Sequence, residues 1–218
     1  MTNNTLTRLM GVGIVGAAAT AAYLLLFRPW YLRWGATTAE TKRALPGDEL
    51  LSYPKQTSTR AITIERSVEE VWSWLVQLGQ GRGGFYSYDF LENLIGCDIH
   101  STDRILPEFQ QLAVGDKVRL GREGYPYYTV AAVESKKYLL LSASDPDPAG
   151  ESPSVEDFWL FYLEEIDSST TRLIARNRRD YEPGVANFII WQVITEPLHF
   201  LMEQRMLRGI KHRAEQYS

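Results

Sequence analysis

The residues best equipped for chemistry sit together a third of the way along the chain, in Gly79–Gly96, GQGRGGFYSYDFLENLIG. Arg82 can hold a carboxylate or phosphate through its forked donors. The hydroxyls of Tyr86 and Tyr88 can fix a ligand carbonyl. A short helix opening at Tyr88 would bring Asp89 within one turn of Glu92 and Asn93. Glycines accept backbone conformations that other residues resist, and Phe85 with the two tyrosines supplies rigid apolar area with polar tips. These types support recognition of a ligand: a hinge at Gly79–Gly84 carrying a lid, Phe85–Asn93, over a pocket entrance. Two plainer readings stand beside that one. Arg82 can pair with Asp89 or Glu92 and pin the loop, and the glycines can form a rigid turn that serves close packing. The candidate ligand-binding residues are Trp72, Arg82, Phe85, Tyr86, Tyr88, Asp89 and Asn93, joined from the far end of the chain by Ile194 and Leu198.

The other motifs carry less. Gly79-Gln80-Gly81-Arg82-Gly83-Gly84 matches G-x-G-x-x-G, but a capped helix precedes it where a dinucleotide fingerprint needs a strand. Asp98, His100 and Asp103 offer oxygen and imidazole donors close together, yet Asp and Ser in such a loop more commonly bond local backbone. His199 and His212 are thirteen residues apart on different faces of one helix. Cys97, the single cysteine, has no adjacent histidine to activate it and no partner for a disulfide. Arg172, Arg176 and Arg178 share one strand face by period two, which suits either a solvated face or anionic lipid head groups. No catalytic set can be read, and neither a cofactor nor a metal is expected.

These residues need a scaffold, and the alternation of apolar positions supplies one. Arg60–Glu65 reads as a strand. Ser67-x-x-Glu70 is a capping box that opens a helix whose stripe runs Val68, Val71, Trp72, Leu75, Val76. Five further strands are expected at Lys117–Leu120, Tyr127–Val133, Tyr138–Ser142, Asp157–Glu164 and Thr171–Arg178. Phe188–Arg213 is a long helix with apolar residues at Ile190, Val193, Ile194, Leu198, Leu201, Met202 and Met206. That stripe is expected to face a curved sheet and share a pocket with Trp72 and Tyr88. A run of antiparallel strands closed by one long helix indicates an α+β domain.

Ahead of this domain, Leu9–Phe27 carries no charge and is bracketed by Arg8 and Arg28. At helical rise it is long enough to cross the hydrocarbon core of a bilayer, and Trp30, Tyr31 and Trp34 follow in the place of an interfacial belt. A cleaved signal peptide is the rival reading, since Ala19-Thr20-Ala21 has cleavage spacing, but the apolar run continues past it. Arg28, Arg33, Lys42 and Arg43 lie after the run, so the positive-inside rule puts the large C-terminal part in the cytoplasm of a single-pass protein. The division expected is 1–34 as anchor, 35–58 as linker and 59–218 as the folded domain. Net charge is −4 over 218 residues, and the first 34 residues hold three arginines and no acid. The acidic remainder is a poor partner for phosphate backbones, so no nucleic acid is expected. Oligomeric state is not legible.

The strings TRAITIERSVEEVWSWLVQLGQGRGGFYSYDFLENLIG (59–96), DIHSTDRILPEFQ (98–110) and EPLHFLMEQRMLRGIKHRAE (196–215) resemble the START-like, or SRPBCC, helix-grip superfamily, in particular membrane-anchored members. The resemblance covers 35–218. It implies an antiparallel curved sheet wrapped around the long C-terminal helix, with a cavity between them for a lipid-like, apolar or amphipathic small molecule. It also implies an alternative, a cyclase- or hydrolase-type enzyme on a lipid-like or aromatic substrate; a membrane-tethered protein-interaction domain whose cavity is incidental stays open beside both. The superfamily has no universal catalytic residue, so none carries over, and fold alone does not assign function.

Overall fold

The computed structural model describes residues 22–144 and 155–217. A π-helical turn, Tyr23–Phe27, runs into α1 (Arg28–Leu32), followed by α2 (Thr38–Lys42), β1 (Gln56–Ile64), α3 (Val68–Leu75) and α4 (Asp89–Leu94). Strands β2 (Lys117–Arg119), β3 (Tyr127–Glu134), β4 (Tyr138–Ser144), β5 (Val155–Asp167) and β6 (Thr170–Tyr181) come next. A helical stretch closes the chain: α5 (Val185–Phe188), a π segment (Ile189–Thr195) and α6 (Glu196–Gln216). The six strands form one antiparallel sheet in the order β1-β6-β5-β4-β3-β2. The result is α+β, an open sheet with a long C-terminal helix, consistent with a helix-grip arrangement. The expected membrane span falls largely on residues 9–21, outside the described residues.

Each strand divides its residues between two faces, as a period of two requires. Along β6, Thr171, Leu173, Ala175, Asn177 and Arg179 point to the face that carries α6, while Arg172, Ile174, Arg176 and Arg178 point away. Across the sheet the first set registers with Gln56, Ser58, Arg60 and Ile62 of β1, and with Asp157, Trp159, Phe161 and Leu163 of β5. The α6 face is therefore polar at one end and apolar at the other. The capping box at α3 forms as its sequence requires: the Ser67 hydroxyl accepts from Glu70 N–H, and the Glu70 carboxylate accepts from Ser67 N–H. Val71, Trp74 and Leu75 then bury against the sheet and α6.

The C-terminal helical stretch turns only part of its expected apolar stripe inward. The buried residues of α6 include Glu196, Phe200, Glu203, Met206, Leu207, Ile210 and Ala214, while Ile190, Val193 and Ile194 of the preceding π segment and Leu201 are exposed, and Leu198 is half-exposed. This overturns the expected orientation for Ile190, Val193, Ile194 and Leu201, and Arg60 is the physical reason. Arg60 is fully buried on β1, where it donates from Nη2 to Glu196 (2.6 Å), from Nη1 to Glu203 (2.6 Å) and from Nε to the Tyr31 carbonyl (2.8 Å). Trp159 Nε1 donates to the other Glu203 oxygen at 2.7 Å. Two glutamates one helical heptad apart can be buried only where a cation waits for both, and that pairing turns the helix.

Residues 36–55 cover the outer face of the sheet. Leu45 packs with Ala61, Leu140, Leu160 and Ile174. The arginine row of β6 is covered as well: Arg172 forks onto Glu40 (2.7 and 2.9 Å), Arg176 pairs with Asp48, and Arg178 pairs with Asp48 at 3.0 Å. Those three arginines are thus committed to the chain's own carboxylates, which removes them from solvent and from head groups alike. The segment expected as linker supplies the carboxylates, and β1 begins within it, at Gln56.

Replacing Arg60 with methionine would leave two buried carboxylates without a counter-charge, and chemical denaturation is expected to show a loss of about 3–5 kcal/mol. Adding Glu196→Gln and Glu203→Gln to that variant should restore much of the loss. A single variant as stable as the parent would show that the cluster does not hold α6.

Candidate functional site

Between α4, α6 and the sheet lies a cavity of ≈ 320 Å³. Its walls are Phe85, Leu91 and Ile95 on the α4 side, Leu198, Met202 and Met206 on α6, and Tyr128, Trp159 and Arg179 on the sheet. Polar atoms reach it at two places. At the inner end are Tyr128 and Arg179, held from behind by Asp157, which accepts from the Tyr128 hydroxyl (3.0 Å), Asn177 Nδ2 and Arg179, so its charge is compensated and its oxygens are occupied. Arg179 stacks over the Trp191 ring at 4.8 Å, and its Nη1 has no partner among the described residues. His199 stands edge-on to Trp159, with Nε2 3.8 Å from Glu203 and a buried, unpartnered Nδ1.

Electrostatics fix the protonation of these groups. Burial lowers the His199 imidazole below its usual value against the upward pull of Glu203, so the ring is neutral. Burial alone would raise the Glu203 carboxyl, but Arg60, His199 and the bond from Trp159 hold it below its usual value. Burial and Asp157 together push the Tyr128 phenol well up, so it remains a donor. At the mouth, desolvation and then Asp89 raise the Glu92 carboxyl to about 7, and its Oε2 is buried without a partner. The inner end thus offers a neutral imidazole and a guanidinium N–H, and the mouth a carboxyl that titrates near neutrality.

Of the residues singled out by sequence, Phe85 and Leu198 line this cavity. The others are placed as follows. Trp72 is in the core beside Val71 and Leu75. Arg82 donates to the carbonyls of Val76 (3.0 Å) and Phe109 (3.4 Å) and lies over the Phe109 ring, pairing with neither Asp89 nor Glu92. Tyr86 is buried at positive φ (56°), its hydroxyl accepting from Gln77 (2.8 Å) and donating to the Trp74 carbonyl (3.2 Å). Tyr88 lies under Arg205. Asp89 accepts from Ser101 N–H and hydroxyl (2.6 and 2.7 Å), while Asn93 exchanges two bonds with the Ile99 backbone. Ile194 is 59% exposed.

The glycine run is a closed turn: Gly79 and Gly84 exchange N–H···O bonds at 3.0 and 3.1 Å. Gly84 sits at φ +77°, where a Cβ would lie 2.7 Å from Ser101 Cα. On α6, a Cβ at Gly209 would lie 2.2 Å from the Tyr86 carbonyl oxygen, so that helix packs directly on the loop backbone. The stretch therefore builds the wall behind the cavity, and only its end, Phe85 with α4, reaches the ligand space. Sequence reasoning missed Tyr128, Asp157, Arg179, Glu203 and the orientation of His199. A signal was present for two of them: Asp157 and Arg179 are charged residues at inward positions of alternating strands.

A second, more polar groove of ≈ 760 Å³ lies beyond the partition made by Leu120, Tyr128 and Arg179, with Lys117 and Arg119 on its rim. No family model and no characterised relative matches the chain. Among solved structures, protein MLL2253 from Mesorhizobium loti is similar over 75% of this chain and 99% of its own, at 16% identity and a TM-score of 0.44. Protein NE0264 from Nitrosomonas europaea is similar over 73% and 94%, at 12% and 0.45. A conserved protein from Geobacillus kaustophilus is similar over 74% and 96%, at 18% and 0.43. Likeness at these levels says nothing of what the cavity holds.

The raised Glu92 carboxyl gives a pH signature. Between the ordinary carboxyl value and about 7, the folded protein keeps a proton that the unfolded chain has lost, so stability falls as pH rises through that window. Glu92→Gln should flatten this part of the profile in urea titrations. An equally steep fall in the variant would place the proton elsewhere.

Proposed function

We propose that this protein is a membrane-anchored, START-like binding module whose cavity takes an apolar or amphipathic small molecule. The observation that carries the reading is the cavity itself, walled by Phe, Leu, Ile, Met and Trp side chains with unpartnered polar atoms at its inner end. Such a combination holds an apolar body by burial and orients it by a few polar contacts. Its ≈ 320 Å³ matches a compact ligand or one segment of a longer chain. Arg179 and His199, both on the cavity wall, each hold a buried nitrogen without a partner among the described residues, and a small rotation of either side chain would turn it to an oxygen on that ligand. The charge-free run Leu9–Phe27 with the arginines after it supports an anchor that leaves the domain on the cytoplasmic side.

One observation favours a second reading. A neutral imidazole faces the cavity beside a carboxylate, which is the composition of an acid–base pair. On that reading the ligand is turned over, and His199→Gln removes turnover while ligand remains bound.

The binding reading is tested by filling the space. A fluorescent fatty-acid probe should bind the parent protein in mild detergent and be displaced by the molecule found in native mass spectra. Met202→Trp, which puts an indole into the cavity, should weaken probe binding at least about tenfold, a change of 1.4 kcal/mol or more. Probe affinity unchanged in that variant would move the ligand out of this cavity.

A further inference from the structure

The largest feature left unexplained is an exposed apolar face around the cavity mouth. Among the described residues, the helix Val185–Gln216 is long and apolar enough to cross a membrane by length and composition, yet its second half is core. Its first ten residues, Val185–Ile194, carry no charge and point Phe188, Ile190, Val193 and Ile194 outward. A monomer in water has no use for such a face.

Two observations identify what covers it. First, the helix that enters from the charge-free run packs alongside, and in parallel. The Tyr23 hydroxyl donates to the Gln192 carbonyl, Arg28 donates to the Gln192 side chain, and eight residues further on Tyr31 stacks on Phe200 at 5.4 Å. Leu25 and Leu26, more than 70% exposed, therefore lie level with the exposed Ile194 and its neighbour Thr195. Second, both helices change character in the same direction. The first passes from leucines to Phe27, Arg28 and Trp30 and then Arg33, with Arg28 turned onto Gln192; the second passes from isoleucines to Phe200 and then Arg205 and Arg208. Arg33, Arg205 and Arg208 are exposed and make no ion pair among the described residues. An apolar stretch followed by mixed aromatic and basic residues, along two parallel helices, is the gradient met on passing from hydrocarbon into the cytoplasmic interface.

We infer that Val185–Ile194 is embedded in the same bilayer leaflet as the anchor, which sets the cavity mouth, at Leu91, Ile95 and Leu198, at the lipid–water interface. Glu182, exposed just before this segment, stays with the head groups, so the outward apolar side chains enter the leaflet and the element does not cross it. The exposed Phe90 and Leu94 of α4 continue the face on the other side of the mouth. A ligand can then pass from leaflet to cavity without crossing water, which assigns the proposed ligand to molecules that partition into membranes. This last step rests on the binding reading; the embedding does not.

The test uses the full chain in phosphatidylcholine vesicles containing some phosphatidylglycerol, with single bimane labels in a Cys97→Ala background. Labels at Leu25→Cys and Ile194→Cys are expected to be quenched by lipids spin-labelled on the acyl chain and to be several-fold less sensitive to aqueous iodide than one at Tyr53→Cys, a residue 92% exposed. A label at Leu94→Cys should respond best to a shallow spin label. Iodide quenching at 194 with 25 embedded overturns the inference and leaves the anchor standing. Shielding of 194 from both quenchers, with copies cross-linking through it, overturns it in favour of a self-association face. Failure at both 25 and 194 removes the anchor as well. None of these outcomes depends on the fatty-acid probe, so a failed ligand reading is read separately.

Discussion

One guanidinium with two carboxylates in a dry interior sets the geometry of everything around it. Arg60 lies on an edge strand, Glu196 and Glu203 lie on α6, and the Tyr31 carbonyl belongs to the entering helix, so a single charged group joins three elements. Unlike apolar packing, which tolerates some sliding, these bonds fix distance and rotation together. Glu196 and Glu203 share one helix face, and holding both leaves α6 a single rotation about its axis. That rotation carries His199 and Met202 to the cavity and Ile194 to the outside.

The same constraint explains how far sequence could lead. Strands were legible because alternation is local: all six expected strands form, most of them longer at their ends than the pattern showed. The α3 capping box was legible for the same reason, since its partners are three residues apart. The rotation of α6 was not. Hydropathy places isoleucines inside and glutamates outside, and here the reverse holds over Ile190–Glu203 because the buried cation comes from a residue 136 positions away in the chain. Only the register of β1 against the helix reveals it.

The site was legible in part for a related reason. Gly79–Asn93 is dense in unusual residue types, and that density reflects a tightly packed loop as readily as a binding surface. Asp89 and Asn93 bond backbone of the 97–101 segment, Arg82 closes helix and loop carbonyls, and Tyr86 fills the space left by Gly209. Two of the polar residues that do line the cavity, Tyr128 and Arg179, belong to strands whose sequences look ordinary. Arg179 directly follows the arginine row in sequence, yet period two sets it on the opposite face from Arg178.

The outer cover formed by residues 36–55 also determines how the gene can be divided. A fragment begun at the first strand would uncover Leu140, Leu160 and Ile174 together, and would strip Arg172, Arg176 and Arg178 of Glu40 and Asp48. It would also lose the bond from Ala61 N–H to the Trp34 carbonyl, opening the sheet edge to pairing with other chains. The smallest unit that keeps these contacts and the Tyr31 carbonyl on Arg60 therefore starts before Tyr31. The entering helix and the sheet have no free spacer between them, so any tilt of Tyr23–Leu32 is passed to the sheet as rigid-body motion.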